Sequence, residues 1–212
     1  MKRLLGMVGS ALLTILAGAD GDTVLFHDTF DSENGGVEGL NYTSFANWNV
    51  TRNGVDIIGN GQDDIYPGNG MYVDMNGSIP GLSQGKIETK TLFMLNPGMY
   101  QLNFNIGNNN QTMPNTTNTV TVSLGSVFSE NFSRVGTPPL QTITRTINVL
   151  SATTGRIIFD SGPPADIEGI IVDDVKLALI PEPSTALLVG ISLLSAAIVF
   201  GKRKMRIASR QS

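Results

Sequence analysis

Between residues 20 and 180 apolar and polar side chains alternate with period two, which leaves room for little besides strands. Tyr100, Leu102, Phe104 and Ile106 interleave with Gln101, Asn103 and Asn105. Successive side chains of a strand point to opposite faces, so this spacing builds one apolar face and one wet face. Val120, Val122 and Leu124 interleave with Thr119, Thr121 and Ser123 in the same way. The pattern predicts further strands over 23–30, 48–52, 55–58, 71–75, 86–93, 141–149, 155–160 and 169–179. Asn53-Gly54, Asn76-Gly77 and Pro97-Gly98 punctuate them as turns. No stretch of this body keeps a helical period of about 3.6. The 24 glycines and a charged fraction of 15% suit a turn-rich β protein. The expected fold is therefore all-β, an antiparallel β-sandwich occupying residues 20–180. The polar stretch 107–118, with Asn108-Asn109-Asn110 and Asn115-Thr116-Thr117, reads as a long loop at its edge.

Charge and composition close off several functions. The net charge of −4 is an average over unlike pieces. Residues 20–181 hold seven basic and 17 acidic side chains, a net of −10, while the two ends hold seven basic residues and only Glu182. An acidic body lacks the basic surface that nucleic acid requires. With no cysteine, disulfides, thiolate zinc sites and cysteine nucleophiles are excluded. With the single histidine His27, multi-histidine metal sites are excluded too.

The ends read as addresses. Met1-Lys2-Arg3, an apolar run to Leu16 and Ala17-Gly18-Ala19 form a charged region, a hydrophobic region and a small-residue cleavage site. A signal peptide over 1–19 is expected, with Asp20 as the new N-terminus. At the other end stand Pro181-Glu182-Pro183-Ser184-Thr185, then the uncharged run Ala186 to Phe200, then Gly201-Lys202-Arg203-Lys204-Met205-Arg206. The 15-residue run measures about 22 Å as a helix at roughly 1.5 Å per residue. A transmembrane helix over 185–201 is expected, with the basic cluster 202–206 and the tail 207–212 on the cytoplasmic side. The prolines keep residues 181–185 extended and open to a protease.

This three-part terminus resembles the PEP-CTERM sorting signal of Gram-negative bacteria. The resemblance implies an exosortase as partner, with Pro181, Glu182 and Pro183 as its recognition residues. It also implies transient anchoring in the inner membrane, then release to the cell surface or extracellular matrix. The body resembles a second group, the secreted jelly-roll domains of the DUF642 and choice-of-anchor C families, related to galactose-binding-like folds. Trp48-Asn49-Val50, Gly54-Val55-Asp56-Ile57-Ile58, Met71-Tyr72-Val73-Asp74-Met75-Asn76-Gly77 and Pro97-Gly98-Met99-Tyr100-Gln101-Leu102-Asn103-Phe104 carry it in order. So do Pro80-Gly81-Leu82-Ser83-Gln84-Gly85, Gly107-Asn108 and Val172-Asp173-Asp174-Val175-Lys176-Leu177. It implies a jelly-roll sandwich and a non-enzymatic module binding an exopolysaccharide or cell-wall glycan. A purely structural matrix protein and a polysaccharide hydrolase are the alternatives.

Particular residues follow from these readings. Asp173 is expected on the apolar face of the last strand with Ile171, Val175, Leu177 and Leu179, where a carboxylate needs a partner. Calcium, which takes carboxylates, is one such partner. The resemblance to galactose-binding-like folds adds Asp28, Asp31 and Glu33 as further ligands. A sugar site would use an exposed aromatic ring with amide and carboxylate neighbours. Tyr66 in Asp63-Asp64-Ile65-Tyr66-Pro67-Gly68 is the best exposed candidate; Trp48, Tyr42 and Tyr72 are the other rings, with Asn47, Asp56 and Asp74 as hydrogen-bond partners. Large aromatics dominate buried area, which also makes Trp48 a core candidate. Asp63-Asp64 and Asp173-Asp174 are sequence neighbours and so need not share a site. His27 reads as an ordinary strand residue.

Overall fold

A computed structural model of the chain describes residues 22–79, 84–109, 111, 115–136, 138–162 and 168–181. The expected signal peptide, Glu182 and Pro183 of the sorting motif, the helix 185–201 and the basic cluster lie outside the described residues. Apart from one 3-10 turn at Glu33–Gly36, every regular element among them is a strand. In chain order these are β1 (Thr23–Asp28), β2 (Gly39–Tyr42), β3 (Trp48–Arg52), β4 (Val55–Ile58) and β5 (Tyr72–Asp74). Next come β6 (Lys86–Thr89), β7 (Phe93–Leu95), β8 (Gly98–Asn108), β9 (Thr117–Leu124) and β10 (Phe128–Val135). The last four are β11 (Gln141–Val149), β12 (Thr153–Gly155), β13 (Ile157–Ser161) and β14 (Ile170–Ile180).

All pairings between them are antiparallel. Seven strands form one sheet in the order β11-β8-β14-β5-β4-β2, with β1 also against β14. Five form a second in the order β10-β9-β13-β6-β3, and β12 pairs with β7. The alternation read from sequence packs the two sheets together. Leu102 and Phe104 of β8 share one core with Val120 and Val122 of β9 and Phe159 of β13. The Phe104 ring meets Phe132 of β10 at 5.3 Å and Phe159 at 5.4 Å, edge to face, across the gap between sheets.

Three expectations need correction. The stretch 107–118 is only partly loop: β8 runs on to Asn108 and β9 starts at Thr117. The single strand expected over 86–93 is two, β6 and β7, in different sheets. Asp173 does not share a face with Val175 and Leu177. A bulge between Asp173 and Lys176 breaks the register, and Asp174 takes a left-handed φ of 48°. One inserted residue swaps the faces of everything beyond it. Val172, Val175 and Leu177 therefore all point into the core, while Ile171 packs on the outer face. The bulge also lets β14 change neighbours. Ile171 and Val172 pair with β5, and the residues from Val175 onward pair with β1.

Candidate functional site

The core-facing residues of β4 and β5 are Val55, Ile57 and Val73. Their alternates, Asp56, Ile58, Tyr72 and Asp74, must then face outward. Asp56 and Asp74 stand directly opposite each other in the ladder. A cleft of about 220 Å³ opens over them, lined by Leu40, Asp56, Ile58, Asp63, Asp74, Ser78, Asn109, Gln111 and Glu168. Leu40 lies at the β2 edge and is 55% exposed, which gives the cleft an apolar shoulder.

Each wall has a local cause. The segment after β4 folds back over the sheet because Glu38 accepts the backbone N–H groups of Gly59, Gln62 and Asp63 at 3.4, 3.1 and 3.0 Å. Further along, the Tyr66 ring lies over Gly107, where a β-carbon would sit 2.5 Å from the phenolic oxygen. That hydroxyl accepts the Asn108 N–H at 2.7 Å and donates to the Asn108 carbonyl at 3.0 Å. Tyr72 completes the seat: its hydroxyl donates to Asp64 at 2.9 Å and accepts the Tyr66 N–H at 2.9 Å. Burial pushes the Tyr72 phenol far up, so it stays a donor. Gly107→Val should expel the Tyr66 ring, at a cost of about 1–3 kcal/mol by overpacking. The expected signs are a lower melting temperature and faster proteolytic nicking within 59–70.

The carboxyls of the cleft are held in place. Asp56 accepts the Asn41 N–H at 2.6 Å and both the N–H and hydroxyl of Ser78. Asp74 accepts the Asn76 N–H at 2.9 Å and the Asn109 side-chain amide at 2.7 Å. Burial raises both groups, Asp74 to about 8 despite these donors. The arrangement offers rigid acceptors, amide donors and an apolar edge in one concavity. Groups of these kinds can hydrogen-bond a hydroxyl in either direction.

The aromatic residues expected to form a sugar platform do not do so. Trp48 is fully buried, its indole N–H donating to Asp28 at 2.9 Å and its ring packed by Phe26, Phe30 and Phe159. Tyr72 is fully buried and Tyr66 is 7% exposed, because each hydroxyl finds its partner inside. Among the described residues no aromatic side chain is exposed. Of the residues expected, the two carboxyls Asp56 and Asp74 line the cleft, and the rings do not. Asp63 and Asp64 diverge, one lining the cleft and the other holding Tyr72. Ser78, Asn109, Gln111 and Glu168 went unread as site residues. The one signal for them was the Asn-rich stretch that carries Asn109.

The carboxylates expected around calcium do not form one cage. Asp28 accepts three N–H donors, from Phe30, Asn47 and Trp48. Asp31 accepts the Met71 N–H and the Thr29 hydroxyl, and Glu33 accepts the Ala46 N–H. Asp173 accepts the Asp174 N–H at 2.7 Å, inside the bulge. Burial lifts Asp173 to about 7, with Asp174 and Asp31 adding repulsion. Among the described residues no group of three or more carboxylates or imidazoles is placed to hold a metal ion. Each of the four thus already accepts hydrogen bonds, and Asp31 is close enough to Asp173 to raise it. His27 is the strand residue expected and meets Asp174 at 2.7 Å.

No family model matches the sequence, and no curated protein matches it. Among solved structures the chain is similar to the enzymatically active domain of bacteriophage CBA120 tailspike protein 4. The identity is 14% and the TM-score 0.45, over 66% of this chain and 20% of that one. It is similar to the CBM22-1–GH10 modules of Clostridium thermocellum xylanase 10B complexed with xylohexaose. There the identity is 16% and the TM-score 0.43, over 76% and 29% of the chains. It is also similar to TmCBM61 in complex with beta-1,4-galactotriose, at 18% identity and TM-score 0.40, over 64% and 90%. The chain thus spans less than a third of the first two. At scores and identities this low, the likenesses establish neither ligand nor activity for this chain.

Proposed function

We propose that this chain is an exported surface protein whose β-sandwich, of jelly-roll type, holds a hydroxyl-rich glycan unit in the outer cleft without transforming it. The cleft carries the reading: rigid carboxyls and amides converge beside Leu40 on a face that the fold leaves open. Sugar hydroxyls both donate and accept, so fixed acceptors such as Asp56 and donors such as the Asn109 amide suit them. A binding role also suits the state of the acids. Asp74 is 1% exposed and bonded on both oxygens, which leaves it little freedom to pass protons to a ligand.

Export and sorting rest on the terminal signals. Residues 1–19 are the signal peptide in this reading, and Pro181-Glu182-Pro183 is presented to an exosortase. β14 ends at Ile180, directly before Pro181, so the motif follows the sandwich without a linker. A structural matrix role is the second reading. It is favoured by the burial of the described aromatic rings, which leaves no stacking platform among them.

The test is a glycan-array screen of the purified chain, followed by titration of the best binder against Asp56→Ala and Gln111→Ala. The expected result is a roughly 10–100-fold loss for the first, since a bond to a charged group is worth about 1.5–3 kcal/mol. The second should lose less, because Gln111 is exposed. An array without a binder, or binding indifferent to Asp56, would favour the matrix reading.

A further inference from the structure

A free sheet edge exposes a row of unpaired N–H and C=O groups, and proteins usually guard it with bulges, charges or short strands. Most outer strands here carry such guards. The registers of β1, β2 and β3 are all broken. β10 carries Arg134 on its inward side. β11 is different. It is nine residues long, pairs with β8 in unbroken register, and ends its sheet among the described residues. It has no proline or lysine.

Its only charge is already neutralised. The Arg145 guanidinium makes two 2.6 Å hydrogen bonds to Glu130, one to each carboxylate oxygen, and lies 5.1 Å from the centre of the Phe132 ring.

The order of residues in β11 is symmetric. Reading outward from Arg145, Thr144 mirrors Thr146, Ile143 mirrors Ile147, and Thr142 mirrors Asn148. Two antiparallel copies related by a two-fold axis through Arg145 would set isoleucine against isoleucine, threonine against threonine, Thr142 against Asn148, and Arg145, held by its own Glu130, against its copy. Ile143 would meet Ile147 of the second copy on the core side, where both are already buried. Thr144 would meet Thr146 of the second copy on the outer side. Thr–Thr and β-branched cross-strand pairs are the kind that stabilise a ladder, and an isologous contact needs such self-complementarity.

We propose that the β11 edge is a homophilic interface: a second copy of this chain pairs its own β11 antiparallel to the first, and the seven-stranded sheet continues across both. A contact made by one strand edge is small, so it is weak and concentration-dependent. Such pairing suits molecules crowded on one surface.

The full-length chain, Thr144→Lys/Thr146→Lys and the control Thr121→Lys are compared by sedimentation velocity at about 100 µM protein. Both altered β11 residues are exposed, so the monomer fold is spared, while lysine meets lysine twice across the axis. The parent chain and the control are expected to dimerise, and the double-lysine variant to associate at least about tenfold more weakly. A cysteine-free parent allows a second readout. Thr144→Cys/Thr146→Cys should form a covalent dimer on mild oxidation, and Thr144→Cys alone should not, since its own mate lies on the diagonal. A monomeric parent, a dimer indifferent to the lysines, or equal cross-linking of single and double cysteine variants would each overturn the proposal.

Discussion

Replacing Trp48 with alanine should destabilise the sandwich by roughly 4–6 kcal/mol, close to the whole stability of a marginal domain. Two losses add. The first is a large cavity, because the fully buried indole touches Phe26, Phe30 and Phe159, which come from both sheets and the loop after β1. The second is electrostatic. Asp28 is a buried carboxylate, and its Oδ2 atom is held by the indole N–H and the Asn47 amide. Without the indole the carboxyl keeps one fewer donor in a dry place. Trp48→Phe separates the two, since it refills most of the space and restores no donor. It should lose about 1–3 kcal/mol. Urea unfolding followed by circular dichroism measures both. An alanine variant with an unchanged midpoint would return Trp48 to the surface as a candidate platform.

The same residue shows what the sequence could disclose. A tryptophan opening a strand reads equally as platform or core, because period-two patterning gives two faces without saying which one a second sheet covers. Here Asp28 decides, and it lies 20 residues away. The period itself was legible at several strands: the predicted bounds of β3, β4 and β11 coincide with those observed, whereas the regular β10 went unread, its inward positions alternating Phe128, Glu130, Phe132 and Arg134. It was illegible at β2, four residues with a broken register. At β14 it misled, because one left-handed residue, Asp174, reverses the faces midway, and an aspartate does not announce a positive φ as glycine would.

The cleft was less legible still. Its lining comes from β2, β4, β5 and the segments around Asp63, Ser78, Asn109 and Glu168, separated by up to 128 positions. No local spacing encodes that convergence. Asp56 and Asp74 each stand in an otherwise apolar strand, Val-Asp-Ile-Ile and Tyr-Val-Asp. A carboxyl in such a strand points to a half-covered outer face, and that was the one available clue. Tyr66 went the other way. Its loop looks exposed, yet Gly107 on a distant strand leaves space for the ring.

Stability should fall as pH rises from about 4 to about 8, the reverse of ordinary acid denaturation. The Asp74 carboxyl is raised from 3.8 to about 8 and that of Asp173 to about 7, both first by burial. A group whose acid is held above its unfolded value keeps its proton in the folded state over a range where the unfolded chain has released it. By linkage the folded state loses ground across that range and no further above it. Each tenfold gain in proton affinity is worth about 1.4 kcal/mol, so Asp74 alone sets an upper bound of several kcal/mol. The value of about 8 is already net of the hydrogen bonds from Asn76 and Asn109, which favour the ionised form and pull against burial. Asp74→Asn supplies a permanently neutral group. It should flatten most of the slope between pH 5 and pH 8 and be more stable than the parent at the upper end. Asp173→Asn should flatten only the part below about pH 7. Urea midpoints at closely spaced pH values test this directly. A parent whose stability climbs through the window, or an Asp74→Asn variant with the parental slope, would mean that the donors outweigh burial and Asp74 is ionised throughout. The cleft would then present a fixed charge to its ligand, and binding should follow salt where the protonated form would make it follow pH.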